Sequence, residues 1–366
     1  ADAEFFWNTD RKTALAARCP ELARVTYQAR LGSLQDKTER VRALARSIAP
    51  ATGADPALAD RAAELAKCDL LTGMVGEFPE LQGVMGRYYA SQDGEPAEVC
   101  DAIYEQYLPR FAGDVLPSTP TGMALSIADR LDTIAGIFAA GQKPTGNRDP
   151  FGLRRAALGL LRTAIERRLD LDLPQLIADA LAALPFPAAD GAAAEIYDYV
   201  MDRLRAYYVE GEAASAVTPE MFDAVLATRP SSPLDFDARL RALSEFLDLP
   251  DAQSLAAANK RIANILRKSE ESVGEAVDTE LLIDPVEQVL AEQIAAMARK
   301  VEPEFGARRY TEALLQLAAL RPAVDSFFDS VMVMADDERL RRNRLAMLGR
   351  LRALFMHVAD LSRLPG

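Results

Sequence analysis

Apolar residues recur along nearly the whole chain at the three-to-four-residue spacing of an amphipathic helix, and period-two alternation is scarce. Start signals stand in the expected order. Ser33 caps a predicted helix that runs to about Ile48, with Pro50 just beyond it. Asp55 and Pro56 open another, which reaches Thr72 before Gly73, and Thr218 with Pro219 repeats that arrangement before MFDAVLA. Ala, Leu, Arg and Glu dominate, all strong helix formers. The pattern predicts an all-α fold.

Two proline-rich stretches interrupt it. LDLPQLIADALAALPFPAADG from Leu171 to Gly191 reads as a short helix bracketed by prolines, and RPSSPLDFD from Arg229 to Asp237 reads as a turn. The predicted organisation is a first helical domain at 1–170, a linker region at 171–194 and a second helical domain at 195–366. No internal repeat of solenoid length is visible.

With 366 residues, 49% of them hydrophobic and 27% charged, the chain has enough apolar material for one or two cores and is not a disordered sequence. A net charge of −13 argues against blanket polyanion binding and leaves room for a local basic patch. Cys19, Cys68 and Cys100 form an odd, widely spaced set that suits reduced thiols in a cytoplasm. The single histidine, His357, excludes any site built on two imidazoles. No apolar run approaches the roughly 18 residues of a membrane span, and no basic-then-apolar leader opens the chain.

Candidate chemistry begins with Asp69 in AAELAKCD and Asp129 in SIADRL. Two carboxylates on neighbouring helices are candidates for a divalent ion, against the alternative that both cap helices or pair with arginines such as Arg130. These segments resemble the HD-domain phosphohydrolases, which carry a His-Asp pair on the first helix and an Asp on the second. Here Cys68 stands where that histidine would be, and the upstream family histidine has no counterpart. The resemblance therefore implies the fold with a degenerate metal site at Cys68, Asp69 and Asp129, and no bound metal.

Three basic segments follow. Residues 141–170 hold seven basic residues against three acids, Lys143, Arg148, Arg154 and Arg155 among them, in a Gly- and Pro-rich loop leading into a helix. The helix start near Pro150 is a candidate phosphate site, although the Walker order is absent. Lys260, Arg261, Arg267 and Lys268 flank apolar positions of AAANKRIANILRK. In ERLRRNRLAMLGRLRALF, Leu340, Met347, Leu351, Leu354 and Val358 form one stripe. Arg339, Arg342 and Arg350 line one flank of it, Arg341 and Arg352 the other. Arg344 falls inside the stripe, where a buried, paired arginine is expected.

Read together, FFWNTDRK (5–12), LGSLQDKTERV (31–41), DLLTGMVGEFPELQGVMGRYYA (69–90), YLPRFAGDVLP (107–117), ADRLDTIAGIFAAGQKPTGNRDPFGLRRAALGLLR (128–162) and FFDSVMVMADDERLRRNRLAML (327–348) resemble the β subunit of bacterial glycyl-tRNA synthetase, the tetrameric α2β2 type. Residues between about 170 and 255 match more weakly. The resemblance implies an HD-like helical domain followed by a helical-bundle anticodon-binding domain similar to that of arginyl-tRNA synthetase, with the family's N-terminal half outside this sequence. It also implies a non-catalytic role in the cytoplasm, holding glycine tRNA by its acceptor arm and anticodon. No catalytic residue is expected in this chain, and ATP and magnesium are expected in the α subunit, with no cofactor here. Implied tRNA contacts are Lys143, Arg148, Arg154 and Arg155 in the first domain. In the second they are Lys260, Arg261, Arg267, Lys268, Arg339, Arg342, Asn343 and Arg350. The rival readings are an HD-type metal-dependent nucleotide phosphohydrolase and a helical scaffold that contacts only the α subunit.

Overall fold

Thr119 ends an extended segment, and its hydroxyl accepts from the amide of Gly122 (3.0 Å), so the chain turns into the helix Pro120–Ala139. That helix is apolar on nearly every side, and a helix of that kind stands at the centre of a core. In the computed structural model, which describes residues 2–210, 217–269 and 276–365, it packs against Leu34–Thr52, Ala97–Glu105, Leu153–Glu166 and Leu173–Ala182. Leu125, Ile127, Leu131, Ile134 and Ile137 are fully enclosed, each worth about 1.5–3 kcal/mol of burial.

The predicted caps form. Ser33 and Asp36 make a reciprocal capping box, with Ser33 N donating to Asp36 (2.7 Å) and Asp36 N to Ser33 (3.2 Å). The helix does not stop at Ile48; it continues through Pro50 to Thr52. Proline forfeits a single amide bond there, and Gly53 at φ 76° lets the Gly53 and Ala54 amides close on the Pro50 and Ala49 carbonyls. Asp55 caps Pro56–Leu65 through Ala57 N (2.8 Å), but this helix ends at Leu65 and a 3-10 turn, Cys68–Leu71, carries the chain to Thr72. Asp10 of the FFWNTDRK string then accepts from the amides of Gly73 and Met74 (2.9 Å each), which anchors the start of Gly73–Glu77.

The chain packs into two compact units, Ala1–Leu204 with Ser231–Leu234, and Arg205–Pro230 with Asp235–Gly366. The boundary thus differs from the one expected at 170–195. Leu173, Leu176, Ile177 and Ala180 stand at helical spacing and are all buried, so Leu173–Ala182 belongs to the body of the first unit rather than to a linker. Ala192–Asp202 packs on the same helices. Among the described residues, the only sheet is an antiparallel pair, Thr26–Gln28 with Gly32–Ser33.

The second unit is a bundle whose core holds Phe222, Phe236, Phe246, Phe327 and Phe355. Thr218 caps Pro219–Leu226 through Met221 N (3.3 Å), and Asp284 with Glu287 forms a capping box at Pro285–Gly306. Glu338–Met356 is buried over a broader arc than the predicted stripe, from Asn343 to Leu348 and again at Leu351, Leu354 and Phe355. No described helix is long and apolar enough to cross a membrane.

Candidate nucleic-acid interface and the closed carboxylate site

The two candidate carboxylates are placed by different elements and used differently. Asp69 is fully buried, and its Oδ2 accepts from the amides of Gly83 (2.6 Å) and Gly86 (3.1 Å), holding the start of Val84–Gln92. Burial pushes this carboxyl above its ordinary range, against those two amides and the charge of Lys67. Asp129 faces two ammonium groups, Lys37 Nζ at 3.4 Å and Lys67 Nζ at 3.3 Å. Burial opposes its ionisation, but Lys37 and then Lys67 outweigh burial and hold Asp129 below the usual carboxylate range. Lys37 also donates to Asp132 (3.0 Å), which Arg40 grips at 2.6 Å.

Of the two alternatives to a metal, Asp69 does cap a helix, whereas Asp129 pairs with lysines and not with Arg130. The neighbouring guanidinium turns away to the carbonyls of Gln106 (3.0 Å), Pro109 (3.0 Å) and Ser126 (3.1 Å). Cys68 is enclosed and lies 2.7 Å from Cys19, so two thiols that look widely spaced in sequence meet. The Cys19 contact and burial push the Cys68 thiol up. A cation needs deprotonated, converging donors, and here a thiol, a capping carboxylate and a lysine-paired carboxylate stand in their place.

Around the 141–155 loop the structure also corrects an expectation. The helix start near Pro150 is not open to phosphate. Asp149 occupies it, accepting from Leu153 N (2.8 Å) and Arg154 N (2.9 Å). Arg154 turns back to the Gly146 carbonyl, and Lys143 pairs with Glu195 (2.6 Å) on the surface. Arg148 and Arg155 are exposed.

In the second unit, Lys260, Arg261, Arg267 and Lys268 are all exposed along Ala252–Lys268, and Arg261 lies 4.3 Å over the Phe328 ring. On Glu338–Met356 the exposed flank holds Arg339, Arg342 and Arg350, with Arg342 paired to Glu338 one turn back. Asn343 does not belong with them. It is buried, its Oδ1 accepts from Asp278 N (2.8 Å), and its Nδ2 donates to Asp278 O (2.9 Å). Both ends of its amide are used in docking the chain around Asp278, and its burial turns it away from the exposed row. Arg344 is buried against the enclosed carboxylate of Glu287 and donates to Met332 O (2.9 Å).

Comparison with known proteins places this geometry. The family profile described as "Glycyl-tRNA synthetase beta subunit" matches residues 1–227. Glycine–tRNA ligase beta subunits of Marinobacter nauticus, Citrobacter koseri and Aliivibrio fischeri are 52%, 51% and 50% identical across 100% of this chain. The chain belongs to the glycyl-tRNA synthetase beta subunit family.

It spans about half the length of these relatives, 52% of each. A second profile, "DALR anticodon binding domain", matches residues 255–361 and so takes in both basic helices of the second unit. That agrees with the all-α reading and with the resemblance drawn from the sequence. Lys37 and Lys67, which close the carboxylate site, carry no local signal. Each is an ordinary lysine until its segment is packed against Pro120–Ala139.

Proposed function

We propose that this chain is the tRNA-holding portion of a glycine–tRNA ligase. Its second unit engages the anticodon arm of glycine tRNA, and its first unit engages the acceptor arm. Glycine activation with ATP and magnesium belongs to an α subunit partner in an α2β2 assembly in the cytoplasm. The observation that carries this reading is the exposed basic surface of the second unit on an otherwise acidic chain: Lys260, Arg261, Arg267 and Lys268 on one helix, Arg339, Arg342 and Arg350 on another. Exposed cations of this kind neutralise phosphates and orient a nucleic acid. Arg148 and Arg155 supply the same chemistry in the first unit. The surface pair Lys143–Glu195 is solvated on both sides and is weak enough to open for a phosphate. The lysine-paired state of Asp129 favours this reading over metal-dependent hydrolysis.

The test is hydroxyl-radical footprinting of glycine tRNA with the chain alone and with the α subunit added. Protection of the anticodon arm by the chain alone is the expected result. Protection that arises only with the α subunit would replace this reading with that of a scaffold.

A further inference from the structure

Cys19 and Cys68 stand 49 positions apart in the sequence and meet in the fold. Each opens a 3-10 turn, Cys19–Arg24 and Cys68–Leu71, and the two turns pack against each other. Flanking contacts fix that packing. Arg18 donates to the carbonyls of Asp10 (2.9 Å) and Leu71 (3.3 Å), and the Leu15 amide donates to Asp93 (2.8 Å). Leu15 and Leu22, on either side of Cys19, are buried.

The two sulfurs are held 2.7 Å apart, closer than the 3.5 Å at which each stands from the Glu64 carbonyl oxygen. A disulfide bond measures about 2.05 Å, so bond formation needs a further approach of only about 0.6–0.7 Å. Among the described residues no cluster of three His, Cys, Asp or Glu side chains could hold a metal ion, so the pair is not part of a metal site. The environments of the two thiols differ. Cys19 is half-buried and open to a small solute, whereas Cys68 is fully enclosed. The Cys68 contact lowers the Cys19 thiol, against burial and the charge of Glu64, and thiolate is the nucleophilic form. Cys100 is buried on a different element, Ala97–Glu105, where its Sγ donates to the Glu95 carbonyl (3.6 Å) rather than to a thiol.

We propose that Cys19 and Cys68 are a modification site, a dithiol that a hydroperoxide converts to an intramolecular disulfide and that a dithiol reductant restores by exchange. The Cys19 thiolate attacks one oxygen of hydrogen peroxide. The O–O bond breaks, and the departing hydroxide takes up the proton lost by Cys19, which gives water and a sulfenic acid on Cys19. The Cys68 sulfur then attacks the Cys19 sulfur, and its proton goes to the departing hydroxyl. An S–S bond forms, the S–O bond breaks and a second water leaves. The thiol pair loses two electrons and the peroxide gains them. The crosslink closes the loop of residues 19–68 and fixes segment 15–24 to the body of the first unit. None of the basic residues assigned to tRNA takes part.

The experiment treats the 366-residue chain with stoichiometric hydrogen peroxide, unfolds it, blocks the remaining thiols with iodoacetamide and maps its peptides by mass spectrometry. The Cys19–Cys68 disulfide peptide should be recovered, with Cys100 alkylated. The oxidised chain should melt about 4 °C or more above the reduced one, a gain that dithiothreitol removes. Cys19→Ser, at a half-buried position, should show neither crosslink nor shift. The parent's own peptide map decides the pairing whether or not that variant folds. The proposal is overturned if Cys19 and Cys68 both remain alkylated, or if Cys19 proceeds to sulfinic acid without a crosslink. A disulfide that joins two chains or includes Cys100 overturns it as well, as does a crosslinked chain that melts no higher than the reduced one.

Discussion

Replacing Arg344 by alanine should cost far more than replacing its exposed neighbours on the same helix. Arg344 is 8% exposed and Glu287 0%. The arginine donates Nε to Glu287 Oε1 and Nη1 to the Met332 carbonyl, while the second oxygen of Glu287 accepts from Asp284 N at 2.9 Å. Arg344→Ala takes away the guanidinium that faces this carboxylate and leaves the charge in the core beside the Asp284 amide. Breaking a buried pair in this way costs about 3–5 kcal/mol. For a unit of this size each kcal/mol moves the midpoint by about 2–4 °C, so Tm should fall by about 6–20 °C. The assay is urea and thermal unfolding followed by far-UV circular dichroism. The double variant Arg344→Met, Glu287→Leu should recover most of the loss, since the stranded charge goes with its partner. A cost under about 1 kcal/mol, or a double variant no better than the single one, would refute the argument.

Asn343→Ala should lower stability by about 1–3 kcal/mol, because both hydrogen bonds to the Asp278 backbone go with the amide. Its tRNA affinity, measured where the variant is fully folded, should match that of the parent, because Asn343 is a docking residue. Asp129→Asn should be destabilising at neutral pH. Since Lys37 and Lys67 hold the folded Asp129 below its unfolded value, its contribution is complete above about pH 5, fades as acid protonates the unfolded carboxyl, and is lost once the folded carboxyl protonates too. The gap between variant and parent in urea midpoints should therefore stay flat from neutrality to about pH 5 and close progressively below it. Asp149→Ala should cost about 1 kcal/mol by uncapping Leu153–Glu166 and should open that helix start to sulfate, seen as anion-dependent recovery of Tm. His357, stacked 4.4 Å from Phe305, should titrate below the ordinary imidazole value by NMR, because burial and then Arg239 disfavour its charged form.

Much of the fold is legible in the sequence because its signals are local. The caps at Ser33, Asp55 and Thr218 form where their side chains predict. Arg344 is legible as a buried arginine because the helical step alone places it among Leu340, Met347 and Leu351. Asn343 is misleading because it sits among arginines; it lies four residues before the buried Met347, and that spacing is the signal that marks it. Its partner Asp278 is 65 residues away, which no local pattern supplies. The helix start near Pro150 resembles an anion site, although Asp149, directly before the proline, is an ordinary capping residue. Prolines at 174, 185 and 187 suggest a linker in a segment whose apolar stripe at 173, 176, 177 and 180 is the stronger signal. The closure of the Asp129 site is not legible, because it depends on lysines brought in from two other parts of the chain.

The central claim is that this chain grips tRNA through the exposed basic rows of its second unit. Its most direct test is a fluorescence titration of glycine tRNA over a series of salt concentrations, comparing the parent with Arg339→Glu, Arg342→Glu. Phosphate contacts bind through counterion release, so the parent affinity should fall steeply with salt. The double variant should bind more weakly and with a shallower slope, by about one unit for each phosphate no longer neutralised. Its stability should stay within the range of exposed substitutions, about half a kcal/mol. A double variant whose affinity and slope both equal the parent's would contradict the account.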